Sequence, residues 1–313
     1  ERVAVHYDRT GTYALEARVT RADGSLALAR FTHEVAALAA PLPDDTLHIT
    51  ATIPYQGSYG TGDAYVALAP GHTSLVNPVV VIEGFDLDNS INWDELYALL
   101  DQQNLIETLR ADGFDAVVLN FTDATEPIQK NAFVVAELVQ QVQAAIAPSA
   151  SLALVGASMG GLCSRYALAY MESHAMPHRV RTWLSFDGPQ AGADIPLGLQ
   201  YWIRFFSAQS ADAAAFLATL NRPAARQMLL YHFTDPATAT ASPDPMRTAL
   251  VSELASLGDY PALTRRVAVA NGSGTGLDQG FAPRDQLIRY EYSSFLVSLT
   301  GNVWALPNQV SGT

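Results

Sequence analysis

Gly156-Ala157-Ser158-Met159-Gly160-Gly161 decides the fold. The apolar run Leu152–Val155 leads straight into it, and the helix-forming stretch Leu162–Met171 leads straight out. A serine wedged between a strand and a helix sits on a turn so tight that side chains two residues before and two after it would collide. Gly156 and Gly160 hold those two places. The turn lifts the serine oxygen above the sheet, and the helix start behind it aims unpaired backbone N–H groups at any negative charge that develops there. Ser158 is therefore the candidate nucleophile, because strand, turn and helix occur in the order the bend demands.

Outward from this bend, strands and helices alternate. Thr46–Pro54 and Ala64–Leu68 read as leading strands, and Pro78–Glu83 as a continuous apolar strand. Asn92-Trp93-Asp94-Glu95 is a capping box for a helix running to about Arg110 and stopping at Gly113. Asp115–Phe121 is the next strand. Pro127–Ala147 is a helix with Ile128, Val135, Leu138, Val142 and Ile146 on one stripe. A strand at Arg181–Phe186 follows the bend and its helix, and another is expected at Arg266–Ala270. This alternation predicts an α/β fold, a mostly parallel sheet covered by helices on both faces.

Two regions depart from the alternation. Between about residues 195 and 261 a helical stretch intervenes after the sixth strand, where a lid would sit. Trp202-Ile203-Arg204-Phe205-Phe206 concentrates aromatic side chains in it, as a cover for an apolar pocket or as ordinary helix packing. Residues 1–36 read as short antiparallel strands: Val3–Tyr7, Tyr13–Thr20, a turn at Ala22-Asp23-Gly24, and Leu26–Val35. The phrase from Gly11 to Gly24 resembles the closing hairpin of bacterial immunoglobulin-like modules. The expected organisation is thus a partial immunoglobulin-like β segment at 1–36, an Ala- and Pro-rich linker at Ala36–Asp45, and one α/β domain at 46–313 with its lid insertion.

The 313 residues, 49% of them hydrophobic, suffice for a large core. A net charge of -13 without any basic run disfavours nucleic acid and anionic membrane surfaces as partners. Cys163 is the only cysteine, which rules out an internal disulfide and thiol-based metal sites; its place in the helix after the bend marks it as a packed thiol. No run reaches the roughly 18 apolar residues of a spanning helix. The chain opens at Glu1 in mid-pattern, consistent with a removed signal peptide, so a secreted or periplasmic location is the expectation.

Three segments resemble the α/β-hydrolase superfamily, and within it the lipase-like esterases. Val79-Val-Val-Ile-Glu-Gly-Phe85 looks like the strand that ends in His-Gly and holds one oxyanion donor, with Glu83 at the usual histidine position. Gly156-Ala-Ser-Met-Gly-Gly-Leu-Cys-Ser-Arg-Tyr166 is similar to the lipase elbow and its helix. Trp183-Leu-Ser-Phe-Asp-Gly-Pro-Gln-Ala-Gly192 looks like the segment after the sixth strand, with Pro-Gln for Pro-His. The likeness covers roughly residues 47–285. It implies an oxyanion hole made by the backbone amides of Phe85 and Met159, Phe85 being otherwise a pocket wall. It also implies a triad acid after the seventh strand, for which Asp278 is the first choice and Asp187, at the end of the sixth strand, the alternative.

A serine hydroxyl needs a base to take its proton, yet no histidine follows Asp278. His174 lies sixteen residues beyond Ser158 on the same helix, about 24 Å away, and His178 lies farther still. His232, in the lid region, reaches the serine only by folding back over it. The preferred expectation places the base, with an eighth strand, beyond Thr313; the competing one is a hydrolase fold that has lost catalysis. Asp86, Asp88, Asp94 and Glu95 read as a solvated loop and helix start rather than a calcium site, and no metal or other cofactor is called for. The leading expectation is a serine esterase acting on small-molecule or polymeric esters of apolar acyl chains, such as lipids or aliphatic polyesters. The alternatives are a noncatalytic ligand-binding module, or a thioesterase, amidase or acyltransferase using the same bend.

Overall fold

The computed structural model describes residues 11–20, 26–35, 40–233, 242–272, 280–293 and 298–305. The expected strand Val3–Tyr7, the turn at Ala22–Gly24 and Asp278 lie outside them. Strands β1 (Gly11–Thr20) and β2 (Leu26–Val35) pair antiparallel as a hairpin separate from the main sheet. β3 (Asp45–Thr50) pairs antiparallel with β4 (Thr61–Ala67).

β5 (Pro78–Ile82) is buried along its whole length. Its alternation assigns the two faces of the sheet, since successive strand side chains point opposite ways. Val80 and Ile82 belong to one core with helices α3 (Ile128–Ala145) and α4 (Met159–Ser173), and Val79 and Val81 to another with α1 (Trp93–Leu100) and α2 (Leu105–Ala111). Both faces are therefore covered, which is why β5 reads as a continuous apolar run rather than an alternating one. The predicted stripe of α3, from Ile128 to Ile146, is buried throughout.

The seven-stranded sheet runs β3-β4-β6-β5-β7-β8-β9, with β6 at Asp115–Phe121, β7 at Leu152–Ala157, β8 at Val180–Phe186 and β9 at Arg265–Val269. β4 is antiparallel to β3 and β6, and the pairs from β6 to β9 are parallel. Between β8 and β9 lie α5 (Leu197–Phe206), α6 (Ala211–Leu220), α7 (Pro223–Met228) and α8 (Pro245–Ser256). A second hairpin, β10 (Gln286–Ser293) with β11 (Ser298–Trp304), closes the described chain.

One expected element is two. The helix from Asn92 breaks after Leu100, because Asp101 turns its Oδ1 to accept the Ile106 and Glu107 amides at 2.9 and 3.3 Å and so caps a second helix, while Asn104 takes a left-handed φ of 55°. Asp86, expected to be solvated, is 5% exposed; its Oδ2 accepts the Ile91 amide at 2.9 Å and folds the loop after β5 onto itself. Among the described residues no helix is long and apolar enough to cross a membrane.

Candidate active site

Parallel pairing brings the ends of β5, β7 and β8 together. Ile82 is in register with Gly156, and Ala157 with Phe186, so the residues that follow each strand emerge side by side at the carboxyl edge of the sheet. The ladder continues past the strands: Ser158 N donates to Phe186 O at 2.8 Å, and Asp187 N donates to Val269 O at 2.7 Å. Ser158 and Asp187 are thus held by the neighbouring strand rather than by a loop.

Ser158 has φ 49° and ψ -121°, a conformation that L-residues rarely adopt, while α4 starts immediately after it. The glycines explain how the bend closes. A Cβ on Gly156 would overlap the Gly160 backbone, and a Cβ on Gly160 would overlap the carbonyl oxygens of Ile82 and Glu83. Close packing thus presses the end of β5 onto the start of α4. Gly84 completes the contact: a Cβ there would lie 3.2 Å from the Ser158 Cβ.

Ser158 is exposed to a cavity of about 460 Å³. Phe85, Leu87 and Asp187 contribute from the strand ends, Phe216 and Leu220 from α6, and Ala225, Met228 and Leu229 from α7 and its end. The wall is mostly carbon. Among the described residues, neither the Phe85 amide nor the Met159 amide, the first of α4, has an acceptor. The aromatic run of α5, expected either as a cover or as ordinary helix packing, does not line this cavity. Trp202 and Phe206 pack at 4.9 Å between ring centres and lie against Gly301 of β11, so the second hairpin occupies that face.

Asp187 shares the cavity with Ser158, has a left-handed φ of 47°, and accepts the Asn271 amide at 3.0 Å. His232 stands behind the wall. It is 3% exposed, and its Nε2 donates to the carbonyl of the lining residue Leu220 at 2.8 Å. Its Nδ1 is buried without a partner among the described residues, and burial lowers its pKa. No histidine lines the cavity among the described residues.

Several side chains that frame the site were not singled out from sequence. Arg165 on α4, 5% exposed at its side chain, donates to Gln190 O at 3.0 Å and to Asp259 O at 2.6 Å, pairs with the Asp259 carboxylate, and lies 3.8 Å over the Tyr260 ring. It holds the turn after β8 to the end of α8. Arg247 on α8 donates to Ala191 O at 2.7 Å and to Gln227 O at 3.1 Å, clamping the two segments whose Ala193–Leu229 bridge lines the cavity. Arg222, immediately before α7, donates to the Thr125 hydroxyl and pairs with Asp123 at 2.7 Å. An arginine two turns into the mostly apolar elbow helix was the visible clue to Arg165, but its partners come from distant segments.

No protein-family model and no curated protein matches the chain. Similar solved structures include the mature lipase BlEst2 of Bacillus licheniformis, at 15% identity and TM-score 0.42, covering 68% of this chain and 74% of that one. Est1E of Butyrivibrio proteoclasticus shows 13% identity and TM-score 0.39, with 71% and 76% covered. A fungal esterase of Rhizomucor miehei shows 13% identity and TM-score 0.39, with 74% and 75% covered. An antiparallel second strand, the exchange of the third and fourth strands in the sheet order, and a strained serine between the fifth strand and its helix give this chain the α/β-hydrolase fold.

Proposed function

We propose that this chain is a serine hydrolase that cleaves carboxylic esters of apolar acyl chains through an acyl-enzyme on Ser158. The observation that carries the reading is the strained Ser158, exposed at the foot of a carbon-walled cavity of about 460 Å³ and flanked by two amides that have no acceptor among the described residues. Ser158 Oγ attacks the ester carbonyl carbon, and the carbonyl oxygen takes up negative charge beside the Phe85 and Met159 amides. Removing one such donor typically costs about 2.7 to 4 kcal/mol of transition-state stabilisation. The alcohol leaves with a proton from the base, and water then releases the acid. The acyl chain lies along Met228 and Leu229, with α6 and α7 acting as a lid. Lipid esters and aliphatic polyesters fit such a wall, and a secreted or periplasmic location fits such substrates.

Asp278 remains the proposed acid, with Asp187, which faces the same cavity, as the alternative. The base is a histidine brought to Ser158 from chain outside the described residues, or His232 after it crosses the Leu220 wall. A fluorophosphonate probe should form an adduct that mass spectrometry places on Ser158. Ser158→Ala should remove the adduct and lower p-nitrophenyl ester turnover by about 10³-fold or more. Wild-type turnover by the alanine variant overturns the reading.

The lack of a histidine beside Ser158 among the described residues favours a second reading, a noncatalytic module that binds apolar ligands in the cavity. It predicts no adduct, together with a rise in melting temperature on adding fatty acids.

A further inference from the structure

Glu83 directly follows β5 and is 5% exposed. Its Oε1 accepts the amide hydrogen of Phe121, the last residue of β6, and its own amide donates to Leu119 O at 3.2 Å. Its Oε2 is buried without a hydrogen-bond partner. The Glu83 carbonyl presses on Gly160 in the first turn of α4, the next residue packs on Ser158, and the one after that carries the Phe85 amide. One side chain therefore ties β6 to the strand end from which the proposed oxyanion donor hangs.

The groups facing this carboxyl are Asp86 from its own loop, Tyr65 from β4, the Phe121 amide from β6 and Cys163 from α4. No cation faces it among the described residues. An ionised carboxylate here would be desolvated, would have one amide for two oxygens, and would stand beside the place where negative charge has to develop. A neutral acid removes the charge and so the first and last of these costs: its carbonyl oxygen accepts from Phe121, and its other oxygen carries the proton, leaving an unpaired hydroxyl that costs far less to bury than an unpaired charge.

We propose that Glu83 is a positioning residue that works as an uncharged acid, tying the Phe85 loop to β6 while keeping negative charge away from the oxyanion hole. Burial, with the Asp86 charge adding to it and the Phe121 amide opposing, raises its pKa to about 8, so the neutral form prevails at pH 7. Activity is then lost on the alkaline side as this proton leaves. The inference rests on the reading of Ser158 above.

The test is a pH series of p-nitrophenyl butyrate hydrolysis with the full chain. Wild-type kcat/KM is expected to fall about tenfold for each pH unit above the Glu83 value. Glu83→Gln keeps an oxygen for the Phe121 amide and cannot ionise; its activity at pH 7 is lower, but the alkaline decline starting near pH 8 disappears. Glu83→Met, which cannot ionise either and leaves the amide unpartnered, should also lack the decline, with a larger loss of kcat than of KM. Infrared spectra supply a readout independent of turnover. The wild type should show a protonated-carboxyl band that vanishes over the same pH interval and is missing in both variants. An unchanged alkaline decline in a folded variant, or the absence of that band in the wild type, overturns the proposal. Undiminished turnover by Ser158→Ala instead overturns the reading of the site, while the infrared band still reports whether Glu83 is neutral.

Discussion

Gly160 shows how much of the site rests on one missing methyl group. A Cβ at this position would meet the carbonyls of Ile82 and Glu83, backbone atoms that cannot rotate away. Gly160→Ala should therefore cost about 1 to 3 kcal/mol in denaturant unfolding, the usual range for overpacking. Activity should fall further than stability, because the strand end displaced by the new methyl carries the Phe85 amide. A Gly160→Ala variant with unchanged stability and turnover would show that β5 does not press on α4 as described. The requirement for glycine on both sides of Ser158 was readable in the sequence. The backbone that Gly160 approaches was not, because Ile82 and Glu83 lie 77 to 78 positions earlier in the chain.

Among the elements, α4 links the nucleophile to the segments that build the cavity, and Arg165 is the link. Its guanidinium satisfies two backbone carbonyls from segments 25 and 94 residues away, and its stem is buried. Arg165→Leu leaves those carbonyls without their donor, and a loss of about 2 to 4 kcal/mol is expected from thermal or urea unfolding. Asp259 is half exposed and can rehydrate, which keeps the figure below that for a fully enclosed pair. Arg165→Lys should recover less than half of the loss, since an ammonium cannot reproduce the planar fork or its stacking on Tyr260. Full recovery by lysine would reduce Arg165 to a simple charge. At this scale local patterning was reliable where an apolar stripe or strand ran unbroken, as in α3 and β6. It failed at Asp101, whose side chain caps a new helix within a sequence that shows no proline or glycine between Leu100 and Leu105.

Across the whole molecule, the acid limit of stability is tied to Asp115 at the start of β6. Its carboxylate is fully buried at the side chain and accepts the Ala69 and Val76 amides at 2.8 and 2.6 Å, with His72 Nδ1 at 2.7 Å. Burial alone would raise its pKa, but these donors outweigh it and hold the acid below its ordinary value of 3.8. A carboxylate depressed in the folded state stabilises fully above its unfolded value and loses that contribution as pH falls through the folded one. Wild-type stability should thus fall steeply below about pH 4. Asp115→Asn should be less stable at pH 7 by about 2 to 4 kcal/mol, with a shallower acid slope. Parallel slopes for the two proteins would remove Asp115 as the cause. Net charge approaches zero near the pI of about 4.8, so dilute protein is needed to keep association out of the measurement.

From the sequence alone came the parallel sheet, the order of most of its elements and the bend at Ser158, consequences of periodicity and glycine sterics within a few neighbouring residues, whereas the segments Val79–Phe85 and Trp183–Gly192 were legible only through their resemblance to α/β-hydrolases. Tertiary structure decided which side chains meet: that Asp187 shares the cavity with Ser158, that His232 turns its back on it toward Leu220, that α6 and α7 rather than the aromatic run of α5 form its wall, and that Glu83 is sealed against β6. The physical reason is range. Local patterns are set by steric and hydrogen-bonding preferences over one or two turns, whereas a cavity and the charge state of a buried acid depend on segments brought together by strand pairing.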